Sequence, residues 1–178
     1  MTEDEFWGLV EGARRDGGGS LARQVQLLRE FFRANSVDVL LAYRDRYADV
    51  NERVFTWPIW DAAGVLLGFV SDDFFSDVRA WIISHGRAVV DRIAADPDCL
   101  ADLAEDAEEA RRGDAEEFGM LVWEMWEELT GDCGGGLPPT GKPGIDPTGD
   151  RIDLTDPAAV WSHFPRLAEH TGVPRPPQ

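Results

Sequence analysis

The stretch SDDFFSDVRAWIISHG, residues 71–86, carries the signals of one complete helix. Ser71 is a favourable N-cap, because its hydroxyl can accept a hydrogen bond from an unpaired N–H group of the first turn. Asp72 and Asp73 follow at the positive end of the helix dipole. Gly86 is placed to adopt the left-handed conformation that ends many helices. Between these ends, helical spacing predicts an apolar stripe formed by Phe74, Val78, Trp81, Ile82 and His85.

The run before this helix, residues 54–70, predicts a second central helix. Only Thr56 and Asp61 are polar in it, and a helix that is apolar on every side belongs in the middle of a fold. We expect Thr56 to cap this helix, with Pro58 in its first turn. Asp61 leaves two interpretations open: a carboxylate that reaches the surface or pairs with an arginine, or a carboxylate buried near a ligand.

Further helix signals lie on both sides of this pair, while no stretch shows sustained strand alternation. The predicted caps are a capping box at Thr2–Glu5, Ser20, Ser36, Asp96 and a second capping box at Asp114. The sequence predicts an all-α fold, a single-domain bundle of about seven to eight helices. Residues 1–131 are expected to form the helical core. Residues 132–178 are expected to be a Gly/Pro-rich segment that wraps over the core, carries a short C-terminal helix and belongs to the same domain.

The chain is strongly acidic. Its 178 residues include 34 acidic and 17 basic side chains, for a net charge of −17. Residues 96–132 alone hold 14 acidic and two basic side chains. Such a surface repels phosphates and anionic lipids, so we exclude nucleic acid and membranes as general partners. It suits a basic protein or a small polar ligand.

Several features predict a cytoplasmic location. The N-terminal residues Met-Thr-Glu-Asp-Glu are acidic, unlike a secretion signal. The most apolar run, residues 54–70, is shorter than the roughly 20 residues that a membrane span requires. Cys99 and Cys133 share no metal-ligand spacing with the histidines, which is typical of free thiols in a reducing compartment.

Three stretches resemble a bacterial family catalogued as a domain of unknown function, family 4240. They are DEFWGLVEGAR at residues 4–14, the run from WPIWDAAGV to DPDCL at residues 57–100, and FPRLAEH at residues 164–170. The resemblance covers about residues 3–130. In the central motif, Val78 stands where the family has a second aromatic residue, and the glycine-rich lead-in is reduced to Gly68. The resemblance implies no activity, because no reaction is established for the family.

The residues around Arg79 are the best candidate for a site. One interpretation is a buried Arg79–Asp72 ion pair that fixes the junction of the two central helices. The other is a groove in which Arg79 holds a carboxylate or phosphate between Trp60 and Trp81. The residues that we expect to bind a ligand are Asp61, Asp72, Asp73, Arg79, Trp81 and His85.

A divalent metal is the main chemical alternative. Hard oxygen ligands for Mg²⁺ or Mn²⁺ are available from Asp72, Asp73 and Asp77, with Asp61 as a fourth candidate. His163 and His170 are seven residues apart, but Pro165 interrupts their helix. The sequence lacks the G-x-S-x-G and Walker motifs, so we predict no cofactor and favour a protein that is not an enzyme.

The leading functional hypothesis is therefore a non-catalytic, cytoplasmic helical module for binding or regulation, which uses an acidic face or a small central polar groove. One alternative is a carboxylate-based, divalent-metal-dependent hydrolase. Another is an immunity-type inhibitor whose acidic face blocks a basic protein.

Overall fold

A computed structural model describes residues 1–133, 136–140 and 146–177. Residues 134–135, 141–145 and 178, which belong to the predicted wrapping segment, lie outside the described residues. The described residues form ten α-helices and one 3-10 helix, so the predicted all-α class is confirmed with a higher helix count. The helices are α1 (Glu3–Asp16), α2 (Leu21–Arg33), α3 (Val37–Arg53), α4 (Trp57–Leu67), α5 (Asp72–Ser84), α6 (Arg87–Ala95), the 3-10 helix (Pro97–Asp106), α7 (Ala107–Arg111), α8 (Asp114–Thr130), α9 (Pro157–His163) and α10 (Pro165–Thr171).

Most predicted helix starts are confirmed by cap hydrogen bonds. Thr2 and Glu5 form the predicted capping box, and Ser71 Oγ accepts from the N–H of Phe74. The predicted box at Asp114 is wrong, because the N-cap of α8 is Gly113 in a left-handed conformation and Asp114 is already helical. Ser36 also precedes its helix without a side-chain cap bond.

The centre of the bundle is built around α5 and α8. Helix α8 packs against α2, α3 and α5, and α1 packs against α2. The inner face of α5 is fully or almost fully buried along its length, through Phe75, Val78, Trp81, Ile82 and Ile83. The predicted stripe is thus shifted at its start, because Phe75 and not Phe74 is the buried aromatic residue.

Gly86 adopts the predicted positive φ, +96°, but it has a second role. Helix α5 ends with His85 as its C-cap, and Gly86 is the N-cap of α6. A Cβ atom here would come within 2.8 Å of Glu11 Cγ. The glycine therefore allows both the turn and the close approach of α1.

The C-terminal segment returns to α4 as an extended strap, residues 146–156. Its Thr148 forms an isolated parallel bridge with Thr56. The N–H of Trp57 donates to the Thr148 carbonyl at 2.8 Å, and the N–H of Thr148 donates to the Phe55 carbonyl at 3.2 Å. After the strap, the chain breaks at Phe164–Pro165 into α9 and α10, as Pro165 predicts.

Candidate functional site

The junction between α4 and α5 is open to solvent. Phe69 is 89% exposed, and Asp72 and Asp73 are exposed as well. The interpretation in which a buried ion pair fixes this junction is therefore wrong. The hydroxyl of Ser71 already caps α5, so the two carboxylates of the first turn can stay hydrated while they interact with the helix dipole.

Arg79 does not pair with Asp72. Among the described residues, no carboxylate oxygen lies within 4.0 Å of an Arg79 nitrogen. Nη2 donates to Ser76 Oγ at 3.0 Å, while Nε is buried without a hydrogen-bond partner. The guanidinium carbon lies 4.3 Å from the ring centroid of Phe55 and 5.3 Å from that of Phe75. Arg79 thus turns towards the aromatic rings and away from the exposed carboxylate.

Arg79 differs from the other described arginines because it is both partly buried and without an ion pair. Arg23 and Arg112 also lack an ion pair within the described part of the chain, but both are exposed to water. Arg79 is partly buried, and burial lowers the pKa of its guanidinium. A desolvated cation without a contacting counter-ion is energetically unfavourable. It is compensated here only in part, by the aromatic faces and by the more distant negative charge of Glu52.

Four aromatic rings continue from Arg79 across the junction. The ring centroids of Phe55 and Phe75 are 6.2 Å apart, those of Phe75 and Trp60 are 4.4 Å apart, and those of Trp60 and Trp57 are 5.0 Å apart. The three contacts are stacked and join α4 to α5. Trp60 is thus near Arg79, as expected, but as part of a packed aromatic row.

Arg79 borders two cavities. The larger one, about 700 Å³, lies between α3, the first half of α5 and α8. The smaller one, about 290 Å³, lies between α5, the aromatic row and the start of the strap. Asp73, Ser76 and Arg79 line both cavities. We call the larger cavity the α5 groove and define it by Asp73, Ser76, Asp77, Arg79 and Glu116.

Three carboxylates of the α5 groove lack basic partners. Within the described residues, no arginine or lysine nitrogen lies within 4.0 Å of Asp73, Asp77 or Glu116. Burial raises the pKa of Asp77, and the negative charges of Glu116 and Asp73 raise it further. Within the described residues, the groove therefore combines one cation and three carboxylates that make no direct ion pair.

Asp61 is buried, as in one of the two sequence interpretations, and it pairs with an arginine, as in the other. Its side chain is fully buried, and it pairs with Arg151 of the strap, whose Nη2 lies 3.2 Å from Oδ1. Oδ2 accepts from the N–H of Ile152 at 2.9 Å. The expected arginine pairing is confirmed, and the partner comes from the C-terminal segment.

The family model described as Protein of unknown function (DUF4240) matches residues 1–128. The chain belongs to this family. No curated protein and no solved structure matches it significantly. Both cavities at Arg79 are built mainly from the DUF4240 region, whereas the strap lies beyond that region.

Two predicted ligand-binding residues of the DUF4240 region lie in the interior. Trp81 is 0% exposed and does not line the cavities at Arg79, so it forms no wall of a groove there. His85 borders the core, with its ring 5.5 Å from that of Trp81. Its Nε2 lies 3.0 Å from Arg14 Nη2 and its Nδ1 lies 2.8 Å from the Trp81 carbonyl. Because arginine can only donate, these contacts favour a neutral imidazole with the proton on Nδ1.

The sequence interpretation missed a second buried carboxylate. Asp98 is 3% exposed and accepts from the N–H groups of Arg166 and Leu167, each at 2.9 Å. It therefore fixes the start of α10 on the DUF4240 region. The only sequence signal is its place after Asp96-Pro97, where we predicted a helix start and no tertiary contact.

The predicted metal ligands do not converge in the described residues. Those residues contain no group of three or more His, Cys, Asp or Glu side chains that could hold a metal ion. Asp61 is engaged by Arg151, whereas Asp72 and Asp73 are exposed. His163 and His170 lie on separate helices, α9 and α10. The metal-dependent hydrolase accordingly gains no support from this geometry.

The acidic face of α8 is partly neutralised by arginines of α2. Arg29 Nη2 lies 3.4 Å from a carboxylate oxygen of Glu117 and also pairs with Glu124. Arg33 binds Glu128 through two hydrogen bonds. These contacts weaken the expectation that this face is free for a basic partner. Separately, no helix in the described ranges has the length and hydropathy needed to cross a membrane.

Proposed function

We propose that this protein is a non-catalytic, cytoplasmic binding module that holds a small zwitterionic ligand in the α5 groove. The observation that carries the proposal is Arg79, a partly buried guanidinium without a carboxylate partner in the described chain. Its buried Nε atom has no hydrogen-bond acceptor. A carboxylate or phosphate group of a ligand would supply both the acceptor and the counter-charge.

The other groups of the groove select the second half of the ligand. Asp73, Asp77 and Glu116 lack arginine partners among the described residues, and their mutual repulsion contributes to the raised pKa of Asp77. An ammonium group placed among them would relieve this repulsion. A ligand with one acidic and one cationic group therefore fits both ends of the groove, whereas a simple anion would be repelled by the carboxylates.

A binding role is preferred to catalysis because of the side chains that line the cavity. The described walls of the α5 groove include no histidine and no cysteine. Arginine keeps its proton at neutral pH and is a poor general base. The cytoplasmic location is proposed from Cys99 and Cys133, which are both free thiols.

Isothermal titration calorimetry tests this proposal. The probes are a panel of L-amino acids, which pair an ammonium with a carboxylate, and O-phosphoethanolamine, which pairs it with a phosphate. We expect at least one probe to bind and Arg79→Ala to weaken it at least tenfold, about 1.4 kcal/mol. The matched control is Arg112→Ala, which removes another arginine without an ion pair in the described residues. The proposal fails if no probe binds the wild-type protein or if both variants bind equally.

A further inference from the structure

We infer that the surface from Phe55 to Gly64 is a peptide-docking groove that recognises an arginine, and that the strap is its intramolecular occupant. The partner that fits it is an extended segment with arginine followed by apolar residues one and three positions later, in the manner of Arg151, Ile152 and Leu154. Such a segment would replace the strap. This inference concerns the Asp61 pocket and does not rest on the proposed ligand of the α5 groove.

The strap lies on the groove in the manner of an added strand. Thr148 makes two backbone hydrogen bonds at the start of α4, one with Phe55 in the link before the helix and one with Trp57, its first residue. Gly149 has φ +85° and a Cβ there would come 3.1 Å from Pro58 Cδ. Main-chain pairing of this kind accepts many sequences, so side-chain pockets must supply the selectivity.

The arginine pocket supplies most of that selectivity. Arg151 Nε and Nη2 donate to Asp61 Oδ1 at 3.3 and 3.2 Å, and its guanidinium carbon lies 4.4 Å from the ring centroid of Trp57. Asp61 is 0% exposed, whereas the Arg151 side chain is 54% exposed. The carboxylate thus belongs to the core and the guanidinium to the surface. Any segment that displaces the strap has to bring its own cation, because an unpaired buried carboxylate is strongly unfavourable.

Two apolar contacts complete the groove. Ile152 packs against the hydrophobic core, and its N–H donates to Asp61 Oδ2 at 2.9 Å. Leu154 lies over Gly64, where an added Cβ would come within 2.9 Å of Leu154 Cδ1. Leu154 nevertheless remains 37% exposed. The contacts are specific in position, and both side chains remain partly accessible to solvent, which favours exchange of the strap.

The limits of the family match support the view that the occupant of the groove is exchangeable. Phe55, Trp57, Asp61 and Gly64 lie inside the DUF4240 match at residues 1–128, whereas the strap lies outside it. The groove thus lies within the matched region and its occupant lies outside it. The exposed Asp72 and Asp73 line the same cavity as Arg151, whereas the strap itself carries the acidic residues Asp150 and Asp153. A partner segment richer in basic residues than the strap is therefore favoured electrostatically.

Fluorescence anisotropy with a labelled peptide of the strap sequence, DPTGDRIDLTD, tests the inference on the full chain. In the wild-type protein the strap competes at a high effective concentration. We expect Arg151→Ala to bind the peptide at least tenfold more tightly than the wild type does. A peptide with alanine in place of its arginine should bind this variant at least tenfold more weakly. A peptide with lysines in place of its second and third aspartates, which correspond to Asp150 and Asp153, should bind more tightly.

Two further variants serve as controls, one for poor folding of Arg151→Ala and one for the loss of an arginine elsewhere. Leu154→Ala loosens the strap without touching the Asp61 pair, so it should also increase peptide binding even if Arg151→Ala is poorly folded. Arg175→Ala removes an arginine that stacks on Trp161 and should leave binding at the wild-type level. Equal binding of the arginine and alanine peptides overturns the inference, as does the absence of binding to both strap variants. A wild-type dimer that Arg151→Ala abolishes in sedimentation would assign the groove to a second copy and overturn it too.

Discussion

The carboxylate of Asp61 is held by the guanidinium of Arg151, 90 residues further along the chain, through two hydrogen bonds to one oxygen. The carboxylate is completely buried and the arginine is half exposed. This pair joins the second central helix to the C-terminal strap. Asp61 is the one charged residue of α4, the most apolar of the described helices.

Removal of the Asp61 carboxylate should therefore destabilise the protein strongly. Asp61→Ala removes a charged acceptor of three hydrogen bonds and leaves the N–H of Ile152 unpaired. We expect a loss of about 3 kcal/mol in the free energy of unfolding. Urea denaturation measures this loss. Glu169→Ala, which removes an exposed pair with Arg175, serves as the control and should cost less than about 1 kcal/mol. Equal losses would show that the strap contact contributes little.

The cap on α10 should be the second most sensitive carboxylate. Asp98→Ala removes the acceptor of two backbone N–H groups, one of them buried, and should cost about 2 kcal/mol. Its neighbour Asp102 pairs with the exposed side chain of Arg166, so Asp102→Ala should cost less than about 1 kcal/mol. Thermal unfolding of both variants provides the comparison, and the reverse order of stability would refute the assigned role of Asp98.

A single hydroxyl in the core should be dispensable. Tyr43 Oη is buried and has no hydrogen-bond partner among the residues that the structure describes, and burial raises the pKa of this phenol well above its usual range. Tyr43→Phe removes the unpaired hydroxyl and keeps the ring contacts with Phe6 and Phe32. We expect a gain of about 1 kcal/mol in the free energy of unfolding. A measured loss would show that the hydroxyl has an acceptor in solution.

His85 should make the stability depend on pH. Burial, and then the charge of Arg14, lower its pKa in the folded protein below the usual 6.5. As the pH falls below about 6.5, the unfolded chain takes up the proton first, so stability is lost progressively towards the lower pKa of the folded state.

The histidine dependence can be measured by urea denaturation between about pH 7 and about pH 5. We expect His85→Gln to show a smaller decrease in unfolding free energy over this interval than the wild type. His170→Gln changes an exposed histidine and should follow the wild-type curve. If all three curves have the same slope, another group determines the dependence.

Local signals in the sequence predicted local structure well. Thr2, Ser20, Thr56 and Ser71 cap the helices that they were expected to cap, because a cap bond involves only neighbouring residues. The prediction at Asp114 failed because Gly113, in a left-handed conformation, is the N-cap of α8 and Asp114 is already helical. The capping-box pattern does not consider a glycine in this position.

The candidate site depended on contacts that no local pattern encodes. Asp61 is matched by Arg151 and Asp98 by the backbone of α10, both at long sequence separation. Conversely, the expected Arg79–Asp72 pair was inferred from spacing along one helix, but the ring of Phe55 provides an alternative surface for the guanidinium. Helical periodicity predicts which residues share a face, and it does not determine which tertiary partner a long side chain chooses.

Arg79 has no contacting carboxylate among the described residues, and the proposed ligand supplies an acidic group to it. The most direct measurement is the ¹H–¹⁵N resonance of its Nε–H group, identified by its loss in Arg79→Lys, during titration with the best-binding zwitterion from the calorimetric panel. The account predicts a saturable shift of this resonance, with the same affinity as the calorimetric binding and with little change at Arg112. A resonance that stays unchanged while the ligand binds would contradict the account.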